Sequence, residues 1–170
     1  MITLVQPLIP ALRRYARALL RDRDEADDLV QDALERAIAN WRQRRRASSL
    51  RAWLFTILHN LAMDRLRRRA RRGYPAPIED VPEARLAIPP TQETAAAQRN
   101  IMALVARLPE EQRSVLLLIG VEELSYAEAA RVLDVPQGTI MSRLSRARER
   151  LRRLMEEGEA ASPPSLRIVP

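Results

Sequence analysis

The stretch Leu124–Leu151, LSYAEAARVLDVPQGTIMSRLSRARERL, gathers side chains suited to recognition rather than to making bonds. Ser125 and Glu128 form a Ser-x-x-Glu capping box that opens a short helix ending at Leu133. Asp134 and Val135 make a tight turn into Pro136, and a longer helix follows to about Met155. This is the layout of a helix-turn-helix. Ala129, Ala130, Leu133, Val135, Ile140 and Leu144 fit its core. Gln137, Met141, Ser142, Ser145, Arg146 and Glu149 then lie on the opposite side of the second helix. A face rich in Ser, Gln and Arg can read base edges and grip phosphates. The bland alternative is a two-helix packing unit with a solvated face.

The rest of the composition excludes much else. There is no cysteine, which removes disulfides and thiolate metal sites. The single histidine, His59, has no carboxylate cluster around it in sequence, so no metal or other cofactor is expected. It reads as a partly buried or surface polar residue. Neither a Ser-His-Asp arrangement nor a phosphate-cradling glycine loop is suggested, so the chain does not read as an enzyme. The formal charge is +7 and the pI about 11.1, with every cation an arginine. A basic chain attracts polyanions, nucleic acid first and an acidic membrane surface second. No apolar run is long enough to span a bilayer, and the apolar start, Met1–Pro10, lacks a basic segment and a cleavage signal. A cytoplasmic protein without membrane insertion is expected.

The elements that must position these residues fall into an all-α pattern. A helical domain is expected over 1–72, an acidic Pro-rich linker over 73–94, a second helical domain over 95–157 and a disordered tail over 158–170. In the first domain a helix from about Pro7 to Leu20 carries Leu8, Leu12, Tyr15 and Leu19 on one side. A second, capped by Asp22 or Asp24, carries Ala26, Leu29, Val30, Ala33, Leu34, Ala37 and Ile38 at helical spacing. A basic loop, Arg42–Ser48, precedes a third helix from Ser49, with Leu50, Trp53, Leu54, Ile57, Leu58, Leu61 and Leu66 as its stripe. In the second domain helices are expected over about Ala95–Arg107 and from Pro109 to about Gly120, ahead of the helix-turn-helix.

Two further faces carry polar chemistry. Asp28, Asp32 and Glu35, with Gln31 beside them, lie opposite the apolar stripe of the second helix. An acidic face on a basic protein would repel DNA and suits a protein partner, although a solvated surface has the same pattern. Off the stripe of the third helix lie Thr56, Asn60, Met63, Asp64 and Arg67. Trp53 suits the core, or a platform on which a base stacks. The arginine run from Arg65 to Arg72 suits a nucleic-acid backbone, or a frayed basic helix end.

The segment PEEQRSVLLLIGVEELSYAEAARVLDVPQGTIMSRLSRARERL resembles the fourth conserved domain of bacterial sigma factors. The match runs through Pro136, Gly138, Thr139, Ile140, Ser142, Arg143, Leu144, Arg146, Ala147 and Arg148. The resemblance implies reading of the promoter's minus-thirty-five element and contact with the beta-subunit flap of RNA polymerase. Ser142 and Arg146 would lie at or near bases, and Arg143 and Arg148 at phosphates. Met141 departs from it, family members often carrying a basic residue there. RDRDEADDLVQDALERAIANW and SLRAWLFTILHNLAMDRLRRRARR resemble the second sigma domain. They imply that Asp28, Gln31, Asp32 and Glu35 dock on the beta-prime clamp coiled coil. Trp53, Thr56, Asn60, Asp64, Arg65 and Arg67 would face minus-ten DNA, with Asn60 at a flipped base. WRQRRRASSL stands where relatives form the pocket for that base, but with more arginines and no acidic residue.

The domains that longer sigma factors add are missing, which points to the extracytoplasmic-function group, to a stress response and to an anti-sigma partner. Two other readings remain at this point. A stand-alone helix-turn-helix regulator would leave the acidic helix and the Trp53/Asn60 helix without a purpose. A structural helical adaptor would leave the Ser142/Arg146 face unexplained.

Overall fold

The computed structural model describes residues 2–43, 49–73 and 101–160. The basic loop beyond Gln43, the Pro-rich linker beyond Gly73 and the tail beyond Ala160 lie outside the described residues. Every regular element among those described is helical. They are α1 (Ile2–Val5), α2 (Ile9–Leu20), α3 (Arg23–Ala39), α4 (Leu50–Arg71), α5 (residues 101–106), α6 (Glu110–Gly120), α7 (Tyr126–Leu133) and α8 (Gln137–Ala160), with short 3-10 turns at Gln6–Leu8 and Trp41–Gln43.

Local chemistry sets most of the boundaries. Asp22, not Asp24, caps α3: its carboxylate accepts from Glu25 N at 2.9 Å. Ser49 caps α4 by accepting from Ala52 N. Around α7 the capping box is complete, Ser125 Oγ accepting from Glu128 N while Ser125 N donates to Glu128 Oε2. Asp134 closes α7 in the left-handed region at φ 51°, a conformation that an Asp side chain tolerates. Pro136 follows and starts the next helix. α8 continues past the expected end at Met155, through Gly158 to Ala160.

α2, α3 and α4 pack on one another as a three-helix bundle, and α6 and α7 pack on α8. The core of the first bundle holds Leu12, Tyr15, Leu19, Leu29, Leu54, Phe55 and Leu58, all but closed to solvent. That of the second holds Leu117, Leu118, Val132, Ile140 and Leu144. The two cores are continuous, because α2 also packs on α6 and α4 on α7. α4 is therefore buried on two sides. Phe55, His59 and Ala62 are inside although a single stripe would leave them out, Phe55 and His59 against Tyr15 of α2, while Leu50, Trp53, Ile57 and Leu66 are only half-buried. Ile38, expected inside on α3, is 56 % exposed. On α7, Val132 is buried, while Ala130 and Leu133 sit at the edge.

A charged junction ties the bundles together. Glu122, in the turn between α6 and α7, is 1 % exposed. Arg14 of α2 donates to both its oxygens at 2.8 Å, and Arg51 of α4 donates to one at 3.1 Å. The Arg51 guanidinium also lies over the Phe55 ring, 5.8 Å from its centroid. A bidentate arginine is the geometry that best compensates a carboxylate for lost water. Removing one partner of a buried pair leaves a bare charge, which is costly.

Next to this junction Tyr15 stacks edge-on to Phe55, and its hydroxyl lies 3.0 Å from Nδ1 of His59. Burial raises the phenol pKa and pushes that of His59 down to about 4. His59 is thus a buried neutral residue, more enclosed than the sequence suggests.

Two outcomes follow for the stability of this arrangement. Glu122→Ala should loosen the contact between the bundles without unwinding them. Small-angle scattering should give a larger radius of gyration, with far-UV circular dichroism unchanged. His59 binds a proton in the unfolded chain below pH 6.5 but in the folded chain only near pH 4. Its presence therefore costs stability as pH falls through that window, about 2 kcal/mol by pH 5. Urea unfolding at pH 7.5 and pH 5 should show His59→Gln losing less stability on acidification than the parent, by about that amount.

Candidate nucleic-acid interface

α8 divides cleanly by face. Ile140, Leu144, Ala147 and Leu154 point inward, and Gln137, Met141, Ser142, Ser145, Arg146 and Glu149 point to solvent, as the helical period requires. Ser142 Oγ donates to the Thr139 carbonyl at 3.1 Å, which steadies the first turns of the helix. Thr139 itself is half-buried.

The arginines of α8 are not equivalent. Arg143 is half-buried and paired with Glu111 of α6 at 3.0 Å, so it helps hold α8 on the bundle. Arg152 is paired with Glu149 and Glu156 along its own helix. Arg146, Arg148, Arg150 and Arg153 are exposed and make no ion pair or hydrogen bond among the described residues. They form an open cationic rim beside the polar face. The family resemblance implies Arg143 and Arg148 as phosphate ligands; the structure leaves Arg148 open and pairs Arg143 with Glu111.

On α4 the expected residues form one stripe. Trp53, Thr56, Asn60, Asp64 and Arg67 follow one another at spacings of three or four residues and share a helical face. Asn60 is exposed, its amide open to solvent. Thr56 Oγ1 donates to the Ala52 carbonyl. Arg67 donates to Asp64, and this hydrogen bond holds the Asp64 carboxyl below its usual pKa. Trp53 is half-buried and meets Trp41 edge-to-face, with centroids 6.1 Å apart. It thus packs at the edge of the core while keeping part of its surface open.

Arg65 lies elsewhere. It is five residues from Asn60, roughly 140° around the helix at 100° per residue. There it donates to the Glu25 carbonyl at 2.9 Å and to the Asp32 carboxylate. Arg65 is a fastener between α4 and α3, which periodicity alone would have shown. The same contact alters the acidic face of α3. Asp28, Gln31 and Glu35 are exposed, with Gln31 donating to Glu35 at 3.1 Å, while Asp32 is half-buried against Arg65.

Among the described residues no group of His, Cys, Asp and Glu is arranged to hold a metal ion. No helix there is long and apolar enough to cross a membrane.

Comparison with known proteins agrees with both halves of this geometry. The family model described as Sigma2 domain of PhyR matches residues 5–59, and that described as Sigma-70, region 4, matches residues 98–151. The chain is 39 % identical over 150 residues to the ECF RNA polymerase sigma factor EcfG of Rhodopseudomonas palustris, covering 86 % of this chain and 80 % of that protein. It is 38 % identical over 144 residues to the ECF RNA polymerase sigma factor SigM of Mycobacterium tuberculosis, covering 85 % and 71 %. Among solved structures it matches the sigma factor RpoE of Bartonella quintana, crystallised with the anti-sigma factor NepR. That match has a TM-score of 0.76 and 36 % identity, and covers 92 % of this chain and 98 % of that one. The chain therefore belongs to the extracytoplasmic-function sigma factors of bacterial RNA polymerase, which direct core polymerase to specific promoters and nucleate the DNA melting that begins transcription.

Proposed function

We propose that the two bundles divide the promoter between them. α8 reads the minus-thirty-five duplex, with Ser142 and Arg146 toward bases and Arg148, Arg150 and Arg153 on phosphates. The α4 stripe takes the minus-ten element, where the Asn60 amide pairs with the edge of an extruded base and Arg67 meets the strand. Binding of the extruded base offsets the energy lost on unstacking, so melting needs no fuel and the protein needs no catalytic group. The observation that carries this reading is the presence, in one chain, of two exposed polar helix faces on separate bundles, one rimmed by unpaired arginines and one centred on Asn60.

The acidic face of α3 serves the polymerase. Asp28, Gln31 and Glu35 are open to dock on the beta-prime clamp coiled coil, while Asp32 acts mainly through Arg65 to fix α3 against α4. The second bundle rests on the beta flap. The division into domains at 1–72 and 95–157 follows from these roles. Assembly with core polymerase places the protein in the cytoplasm, and membership of the extracytoplasmic-function group points to stress-responsive transcription. A solved relative binds the anti-sigma factor NepR, and a partner of that kind suits this chain.

The docked arrangement is a resting form on this account. The two promoter elements are about 25 base pairs apart, roughly 85 Å at 3.4 Å per pair. A body in which α4 touches α7 cannot reach both. The linker expected over 73–94 can extend roughly 75 Å, enough together with the bundles' own width.

Run-off transcription with purified core polymerase on a genomic promoter library tests the division of labour. New start sites should appear only with this protein and share two spaced motifs. Asn60→Ala should weaken them by about tenfold or more at the melting step, and Arg146→Ala should do so at duplex binding. No new starts and no core binding would contradict it and favour a stand-alone regulator of closed duplex.

A further inference from the structure

Met141 is the one large apolar side chain on the outward face of the first two turns of α8. It is 52 % exposed, although the inward face of the helix offers full burial one residue earlier, at Ile140. It forms one wall of a shallow groove of about 470 Å³, with Tyr126 of α7, 37 % exposed, among the other lining residues and Leu144 deeper in. Its near neighbours on the first turns, Ser142 and Ser145, are uncharged. Further along, Glu149 lines the same groove, paired with Arg152 and next to the open Arg148, and Arg146, Arg150 and Arg153 line a second groove across the Ser145/Glu149 ridge. The first turns thus form an uncharged centre with arginines on either flank, the arrangement in which the flanks grip phosphates and the centre meets base edges.

A thioether in that centre has a narrow choice of partner. It cannot donate to the acceptors that guanine and adenine present in the major groove, and it would strip water from them without replacement. Thymine alone presents an apolar group there, its 5-methyl. The first turns of the second helix in a helix-turn-helix are the part that reaches base edges. We infer that Met141 reads the 5-methyl group of one thymine in the minus-thirty-five element, so that this position is specified by an apolar contact rather than by a hydrogen bond. The occupant of the groove wall formed by Met141 and Tyr126 is duplex DNA, drawn in by the arginines around it. This inference rests on the placement of α8 in the minus-thirty-five duplex proposed above.

Removing only the methyl group tests it. Holoenzyme is assembled from core polymerase and the full chain on a promoter recovered by the run-off experiment. Each thymine of the upstream element is replaced in turn by deoxyuridine. One such replacement should weaken promoter binding about fourfold, the worth of one buried methyl. Met141→Ala should weaken the parent promoter and abolish the difference between thymine and deoxyuridine at that position. Met141→Arg should shift the preference there toward guanine. The side chain is exposed, so these variants leave the core untouched. Specific promoter binding that is indifferent to every methyl, or a methyl effect that survives in Met141→Ala, overturns the proposal alone. Absence of specific promoter binding by the parent holoenzyme overturns the reading beneath it as well.

Discussion

The carboxylate of Glu122 is the point on which the arrangement of the whole molecule turns. A charge that is 1 % exposed is tolerable only if its lone pairs are met, and here they are met entirely from the other bundle, by Arg14 and Arg51. The apolar contacts alongside it carry no orientation of their own, since the hydrophobic effect is non-directional. The bidentate Arg14 contact supplies that orientation. It fixes where the α6–α7 turn sits on α2, and hence where α7 meets α4. Because Arg14 and Arg51 remain partly exposed, the junction can rehydrate when the bundles part. A wholly buried pair would lock them. This is a joint that holds in the free chain and yields to a partner offering more.

The same division between structural and available charge runs through the functional faces. Arginine is the only cation in the chain, and the sequence gives each the same appearance. The structure separates them by partner. Arg65 and Arg143 fasten helices together, Arg67 and Arg152 balance carboxylates on their own helices, and Arg146, Arg148, Arg150 and Arg153 stand open. Basic composition alone therefore overstates the surface available for phosphates, which is concentrated in the open group on α8 and in Arg68, Arg71 and Arg72 at the end of α4.

Much of the fold was legible because its signals are local. The Ser125/Glu128 capping box, a cap at Asp22 or Asp24, a start at Ser49 and the apolar period of α2 and α3 all depend on residues within a turn or two of each other, and each element appears where they place it. The outward face of α8 was legible for the same reason. What escaped depends on residues far apart. Glu122 looks like an ordinary loop acid until Arg14 and Arg51 arrive from 108 and 71 residues away. Phe55 and His59 lie off the stripe of α4, and that side is closed by Tyr15 of α2, which stacks on Phe55 and reaches His59 from 44 residues away. Ile38 continues the period of α3 but is left 56 % exposed. Arg65 is a different case: its angle from Asn60 was already in the sequence, and the length of the arginine run obscured it.

To engage both promoter elements on polymerase, the joint at Glu122 must open. The chain has no cysteine, so a donor and an acceptor dye can be placed at will, for example at Arg23→Cys on α3 and Glu156→Cys on α8, both exposed. Energy transfer between them should be high in the free protein and should fall sharply when core polymerase and promoter DNA are added. Transfer that stays high while the promoter opens would contradict the account, because two bundles still docked on Glu122 cannot reach both promoter elements.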